Sequence, residues 1–150
     1  MKVTGIDYNA HCIDAAREKW REGDAHWIHS DYRLVVFGEE KPDVIFSSLF
    51  CHHFTDEELV FQLNWMERNA GGGWFINDLH RHIIAYHFIR WLTKWFSRSY
   101  LVKNDAPLSV LRGFSRREWQ DLLRQANIGD CRIQWKWAFR WLISKSLLVE

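Results

Sequence analysis

Three side chains able to ligate a metal, Cys51, His52 and His53, stand in a row in the stretch IFSSLFCHHFTDEEL. A second polar group follows at Asn77, Asp78 and His80, and two acids, Asp7 and Asp31, close the short runs KVTGID and AHWIHSD. Thiolate and imidazole together bind zinc, whereas imidazole and carboxylate side chains move protons. A carboxylate at a strand end offers two acceptor oxygens, which suits the two hydroxyls of a ribose. The zinc reading fails on spacing. Adjacent residues of an extended segment point to opposite sides, so the trio is not expected to converge on one ion. No second Cys or His pair stands at zinc-like spacing either, and no metal is expected. Of the two histidines, one is expected to pack or cap and the other to act as a base toward substrate. Asp7 taken alone is equally well read as a turn residue or helix cap.

These residues must be positioned by a chain of 150 residues, a length that suits one domain with a sizeable core. Apolar residues make up 47% and charged residues 26%, the balance of an ordinary globular protein. With acids and bases interspersed at a net charge of +1, no nucleic-acid partner is expected. Ten tryptophans fit either a greasy substrate pocket or a core that uses large side chains. Cys12, Cys51 and Cys131 are odd in number and far apart, so a reducing cytoplasm is the expected compartment. Neither a signal peptide nor an apolar run of the ~18 residues a spanning helix needs is legible.

Strands and helices alternate along the chain. KVTGID reads as a strand, followed by a helix from about Ala10 to Arg21 capped by Asn9. AHWIHSD reads as a second strand and PDVIFSSL as a third, whose apolar run suits burial on both faces. Thr55-Asp56-Glu57-Glu58 is a capping box that opens a helix to about Asn69. GGWFIND is a fourth strand, a helix rich in aromatics runs from about His80 to Phe96, and an irregular stretch reaches Phe114. Ser115-Arg116-Arg117-Glu118 is a second capping box, and CRIQWKWAFRWLISKS folds back on itself through Trp137 to Phe139. The fold class is therefore α/β, a Rossmann-like, mostly parallel sheet with helices on both faces and a closing antiparallel hairpin. In such sheets ligands bind at the carboxyl ends of the strands, where Asp7, Asp31, Ser47 to Cys51, Asn77 and Asp78 all fall.

The succession GIDYN, IDAAREK, HSDYRL, KPDVIFSSLFCHHFTDEEL and GGGWFINDL resembles the class I S-adenosylmethionine-dependent methyltransferases, small-molecule type, over nearly the whole chain. The resemblance implies an enzyme that moves the methyl group of S-adenosylmethionine to an oxygen or carbon of a small, aromatic or lipophilic acceptor. It implies that Asp7 binds the ribose, with Tyr8 near the adenine, and that Asp31 receives the adenine amino group beside Tyr32. Ser47, Ser48 and Leu49 would line the methionine portion of the cofactor. His52, His53, Asn77 and Asp78 would border the acceptor, with His53, Asp78 or His80 as the base. The family carries a glycine-rich loop after a strand that precedes the ribose-binding one. This sequence starts at the ribose-binding strand, so it reads as an amino-terminally shortened member. Gly71-Gly72-Gly73 follows a helix and precedes a strand, the reverse of a cofactor-cradling order, and reads as a helix stop. Weak or absent cofactor binding and self-association through exposed sheet edges are the expected consequences.

Residues 1–150 thus read as one methyltransferase domain with 80–114 as a lid or insertion. In that segment Ile83, Ile84, His87, Phe88, Trp91, Leu92 and Trp95 share a broad face, and Arg81, Arg90, Lys94 and Arg98 supply charge. A lid is favoured over a core helix, and a helix contacting a membrane surface is weighed third. The alternatives to the enzyme are a non-catalytic relic or interaction module that keeps the fold, and, more weakly, a nicotinamide enzyme.

Overall fold

The computed structural model describes residues 2–20, 23, 25–38, 40–96 and 100–148. It divides into two compact units, Met1–Glu40 and Lys41–Glu150.

The first unit is a strand–helix–strand crossover: β1 (Thr4–Asp7), α1 (Ala10–Lys19) and β2 (His26–His29). β1 and β2 pair in parallel with Asp7 opposite His29, so both strands end at the same edge. The Asn9 side chain caps α1 by accepting from His11 N–H, and Ile13 is its buried residue. Gly5 makes room for Trp27, since a Cβ there would sit 2.2 Å from its ring. The helix expected to reach Arg21 ends at Lys19, because Trp20 is extended. Arg21 and Arg98 lie outside the described residues.

The second unit carries β3 (Val44–Ser48), α2 (Asp56–Asn69), β4 (Gly73–Leu79), α3 (Ile83–Phe96), α4 (Tyr100–Arg112), α5 (Arg116–Gln125), β5 (Arg132–Lys136) and β6 (Arg140–Ser146). Its sheet runs β3-β4-β6-β5, with β3 parallel to β4 and β6 antiparallel to both β4 and β5. Among the described residues β1 pairs only with β2, and β3 only with β4, so each leaves one edge without a strand partner. Both capping boxes form as the local sequence predicts, Thr55 with Glu58 and Ser115 with Glu118. Leu59, Gln62, Leu63 and Met66 recur at helical spacing on the buried face of α2, which packs against β4 and α5. Trp74 and Ile76 of β4, Ile143 of β6, and Trp119, Leu122 and Leu123 of α5 complete the core.

Two expectations are corrected. β3 is not buried on both faces: Val44 and Phe46 are 53% and 59% exposed. It is the outer strand of its sheet, paired with β4 alone among the described residues, and Phe46 stacks on Phe75 at 5.3 Å. An unbroken apolar run does not distinguish such a strand from a central one. The stretch expected to be irregular up to Phe114 is largely α4, with Pro107 inside it. A proline there removes a helical hydrogen bond at a cost of ~3 kcal/mol. Burial of Pro107 and Val110, with α4 packed against α3 and β4, offsets that penalty.

Candidate functional site

In the first unit the candidate residues gather at the carboxyl edge of β1 and β2. Ser30 N–H donates to the Asp7 carbonyl (3.0 Å) and the His29 ring meets the Tyr8 carbonyl (2.9 Å), which ties the two strand ends together. One carboxylate oxygen of Asp7, Oδ1, accepts from Asn9 N–H at 2.7 Å, the turn contact that the bland reading of this residue foresees. The other oxygen has no hydrogen-bond partner among the described residues. Tyr8 is exposed beside it. Asp31 opens a 3-10 turn, Tyr32–Leu34, and is fully engaged. Its oxygens accept from Arg33 N–H (2.9 Å) and grip the Arg33 guanidinium (2.9 Å to Nε). Those hydrogen bonds hold the Asp31 carboxyl below the ordinary carboxylate range. Arg33 was not foreseen, although its place two residues after an acid in a turn is a readable signal.

In the second unit β3 and β4 end side by side, with Ser48 opposite Asn77. Asn77 Nδ2 donates to Ser48 Oγ at 3.2 Å, and Leu49 N–H donates to the Asn77 carbonyl at 2.9 Å. Leu49 sits at a φ of 54°, the left-handed region that a leucine rarely occupies, and turns the chain sharply after Ser48. After Phe50, the trio Cys51–His53 is not extended, as the metal argument supposed, but forms a 3-10 turn. Each of the trio still goes its own way. Cys51 Sγ is buried near Gln62 Oε1 (3.5 Å) and Ser47 Oγ (3.7 Å), where burial pushes the thiol far up and makes it inert. His52 is buried against Asp78. His53 faces a cleft. Among the described residues no group of three or more side chains is arranged to hold a metal ion.

Asp78 is 0% exposed and accepts four hydrogen bonds. Oδ1 takes Leu79 N–H (2.7 Å) and His52 Nδ1–H (2.8 Å); Oδ2 takes Cys51 N–H (2.8 Å) and Phe50 N–H (3.0 Å). A carboxylate so enclosed has no lone pair left for a substrate proton. The base role expected of Asp78 does not fit this geometry. The residue pins the connection after β3 to the end of β4, with His52 as its side-chain partner. His80 also sits inward: its Nδ1 is buried without a hydrogen-bond partner among the described residues, and its ring packs edge-on against Trp141 at 4.9 Å. Burial and the neighbouring His82 lower its affinity for a proton.

His53 differs. It is exposed to a cleft of about 590 Å³ whose lining includes Phe54, Arg81, Arg112, Phe114 and Glu118. Partial burial, then the neighbouring His52 and Arg112, lower its pKa from the ordinary imidazole value. Arg81 pairs with Glu118, while Arg112 has no ion-pair partner among the described residues. Arg81 precedes α3 and Arg112 ends α4, so the root of the 80–114 insertion forms one wall. Gly113 makes that possible: a Cβ there would lie 2.7 Å from the Leu79 carbonyl oxygen, where Phe114 pairs with Leu79 and Arg81. Arg81, Arg112 and Glu118 were missed because no local pattern joins residues so far apart in sequence.

Residues 1–83 match the family described as Methyltransferase domain, more than half of the 150 residues, and the chain belongs to that family. Its fold is shared with the plantazolicin methyltransferase BpumL, solved in complex with a triazolic desmethylPZN analog and S-adenosylhomocysteine (SAH). The identity is 20% and the TM-score 0.65, over 89% of this chain and 49% of that one. The magnesium protoporphyrin IX methyltransferase ChlM from Synechocystis PCC 6803, solved with bound SAH, is similar at 10% identity and a TM-score of 0.59, over 96% of this chain and 63% of that one. The chain thus spans about half the length of BpumL. No curated protein matches it.

Proposed function

We propose that this chain serves methyl transfer from S-adenosylmethionine to a small acceptor. The observation that carries the reading is the placement of Asp7 and Asp31 at the carboxyl ends of two neighbouring parallel strands, inside the segment that matches the methyltransferase family. The unengaged oxygen of Asp7 fits a ribose hydroxyl, and Tyr8 beside it fits the adenine face. Asp31 and Tyr32 flank the adenine amino group, which competes with the Arg33 guanidinium for the Asp31 oxygens. The cofactor supplies a sulfonium methyl for in-line displacement, so the protein's work is alignment and removal of the acceptor's proton. His53 is the base: of the three expected candidates it alone lines the cleft, and its lowered pKa keeps it neutral at pH 7. His80 and Asp78 hold the fold beneath it. The cleft's mixture of Phe54, Phe114 and the unpaired Arg112 fits an aromatic acceptor with an ionised substituent, methylated at oxygen or carbon.

The test uses methyl-labelled S-adenosylmethionine with a panel of small phenols and aromatic carboxylates. His53→Gln is expected to lower turnover by roughly 10²-fold or more with the cofactor's KM nearly unchanged. Turnover that survives the substitution would remove His53 from the reaction.

A further inference from the structure

α3 turns an apolar face to solvent. Ile84, Phe88, Trp91 and Trp95 form one stripe along it and are 61%, 54%, 54% and 70% exposed. The helix already has a packed side, where Ala85 and Thr93 are buried and Ile89 and Leu92 half-buried. The stripe is therefore surplus to what this unit buries, and a contiguous exposed apolar surface of that kind marks an interaction site. It lies apart from the cleft, whose lining includes none of the four residues.

Charge selects the occupant. Between Asp78 and Asp105 the sequence has no acidic residue and five basic ones. On α3 itself the exposed His87, Arg90 and Lys94 border the stripe. Long basic side chains at such a border keep their heads in a polar layer while their stems cover apolar surface. Tryptophan beside lysine and arginine, on a helix with an exposed apolar face, is the composition of a helix lying in the plane of a bilayer interface. With 14 residues, α3 is about 21 Å long at ~1.5 Å per residue, too short to span ~30 Å of hydrocarbon. No helix among the described residues is long and apolar enough to cross a membrane.

We propose that α3 docks on the surface of an anionic lipid bilayer. Ile84, Phe88, Trp91 and Trp95 enter the boundary between headgroups and acyl chains, and Arg90 and Lys94 rest against the anionic headgroups. The inference does not depend on the methyl-transfer reading.

Co-sedimentation of the full chain with phosphatidylcholine vesicles, with and without phosphatidylglycerol, tests it. The chain is expected to sediment with the anionic vesicles, to be released by salt, and to be quenched by brominated acyl chains. Phe88→Ser/Trp95→Ser should weaken binding at least tenfold with an unchanged circular dichroism spectrum. Arg90→Glu/Lys94→Glu should also do so, since each basic residue near an anionic surface strengthens partitioning roughly fivefold. A folded chain that ignores anionic vesicles, or a Phe88→Ser/Trp95→Ser variant that binds them as well as wild type, would overturn the proposal. So would a dimer that this variant dissociates in the absence of vesicle binding, because the stripe's occupant would then be a second copy.

Discussion

Exchanging Asp78 for asparagine replaces one of two acceptor oxygens with a donor at a site where every neighbour donates. In the native arrangement Oδ2 receives the Phe50 and Cys51 N–H groups, and Oδ1 receives Leu79 N–H and His52 Nδ1–H. If the amide turns its NH2 toward Phe50 and Cys51, two buried donors lose their acceptor. If it turns the other way, His52 can change tautomer and accept, but Leu79 N–H is orphaned. The second orientation costs less. One unsatisfied buried donor costs ~1–3 kcal/mol, and the two remaining N–H bonds fall from charge-assisted to neutral strength, ~1 kcal/mol each. Asp78→Asn should therefore destabilise the chain by about 3–5 kcal/mol, a large part of the ~5–15 kcal/mol typical of a domain. Urea unfolding followed by the fluorescence of buried Trp74 and Trp119 measures it. His52→Gln, alone and combined with Asp78→Asn, gives the coupling between the two side chains, expected to be at least ~0.5 kcal/mol for groups in one network. A loss below about 1 kcal/mol, or strict additivity with His52→Gln, would show that Asp78 is not the anchor its hydrogen bonds describe.

Other outcomes follow from the same structure. His80 and His53 have lowered pKa values, so the unfolded chain binds more protons than the folded one just below the ordinary histidine value of ~6.5. Stability is therefore full above that value and falls as pH drops through it. His80→Phe, which also removes an unpartnered buried nitrogen, should make the urea midpoint less sensitive to pH between neutral and mildly acid buffer; an unchanged slope would exclude His80 as a contributor. Thr55→Ala and Ser115→Ala each remove a helix cap and should cost about 1 kcal/mol by the same unfolding assay. Gly113→Ala should cost ~1–3 kcal/mol, since the new Cβ meets backbone rather than a flexible side chain. Arg33→Ala should bind SAH at least as tightly as wild type, because it frees Asp31; a tenfold loss would mean that the guanidinium itself contacts the cofactor.

What could be read from sequence was local or periodic. Thr55 with Glu58, Ser115 with Glu118, and Asn9 before α1 each place a helix start to the residue, because the capping partners lie within three positions. That Asp7 and Ser48 close their strands, and that Asp31 and Asp78 lie within two residues of the ends of theirs, followed from the alternation of strands and helices. Pro107 hid α4, since its penalty is local while the burial that offsets it is tertiary. The exposure of Phe46 and Trp95 was hidden for the same reason: an apolar residue does not announce whether anything covers it. The tie between His52 and Asp78 spans 26 positions, yet a clue existed. β3 and β4 are successive parallel strands, so the residues just beyond their ends come together, and the histidine pair and the acid both sit there. Which histidine turned inward depended on the 3-10 turn, and that was not legible.

The central claim is that the carboxyl edge of β1 and β2 holds the nucleoside of S-adenosylmethionine. Calorimetric titration of SAH into wild type and Asp7→Asn tests it most directly, because asparagine keeps an acceptor for Asn9 N–H and so preserves the turn. The account predicts that SAH binds wild type and that Asp7→Asn weakens it roughly tenfold or more, the loss of a charge-assisted bond worth ~1.5–3 kcal/mol. Equal affinity of the two proteins, or no binding to either by a folded chain, would contradict it.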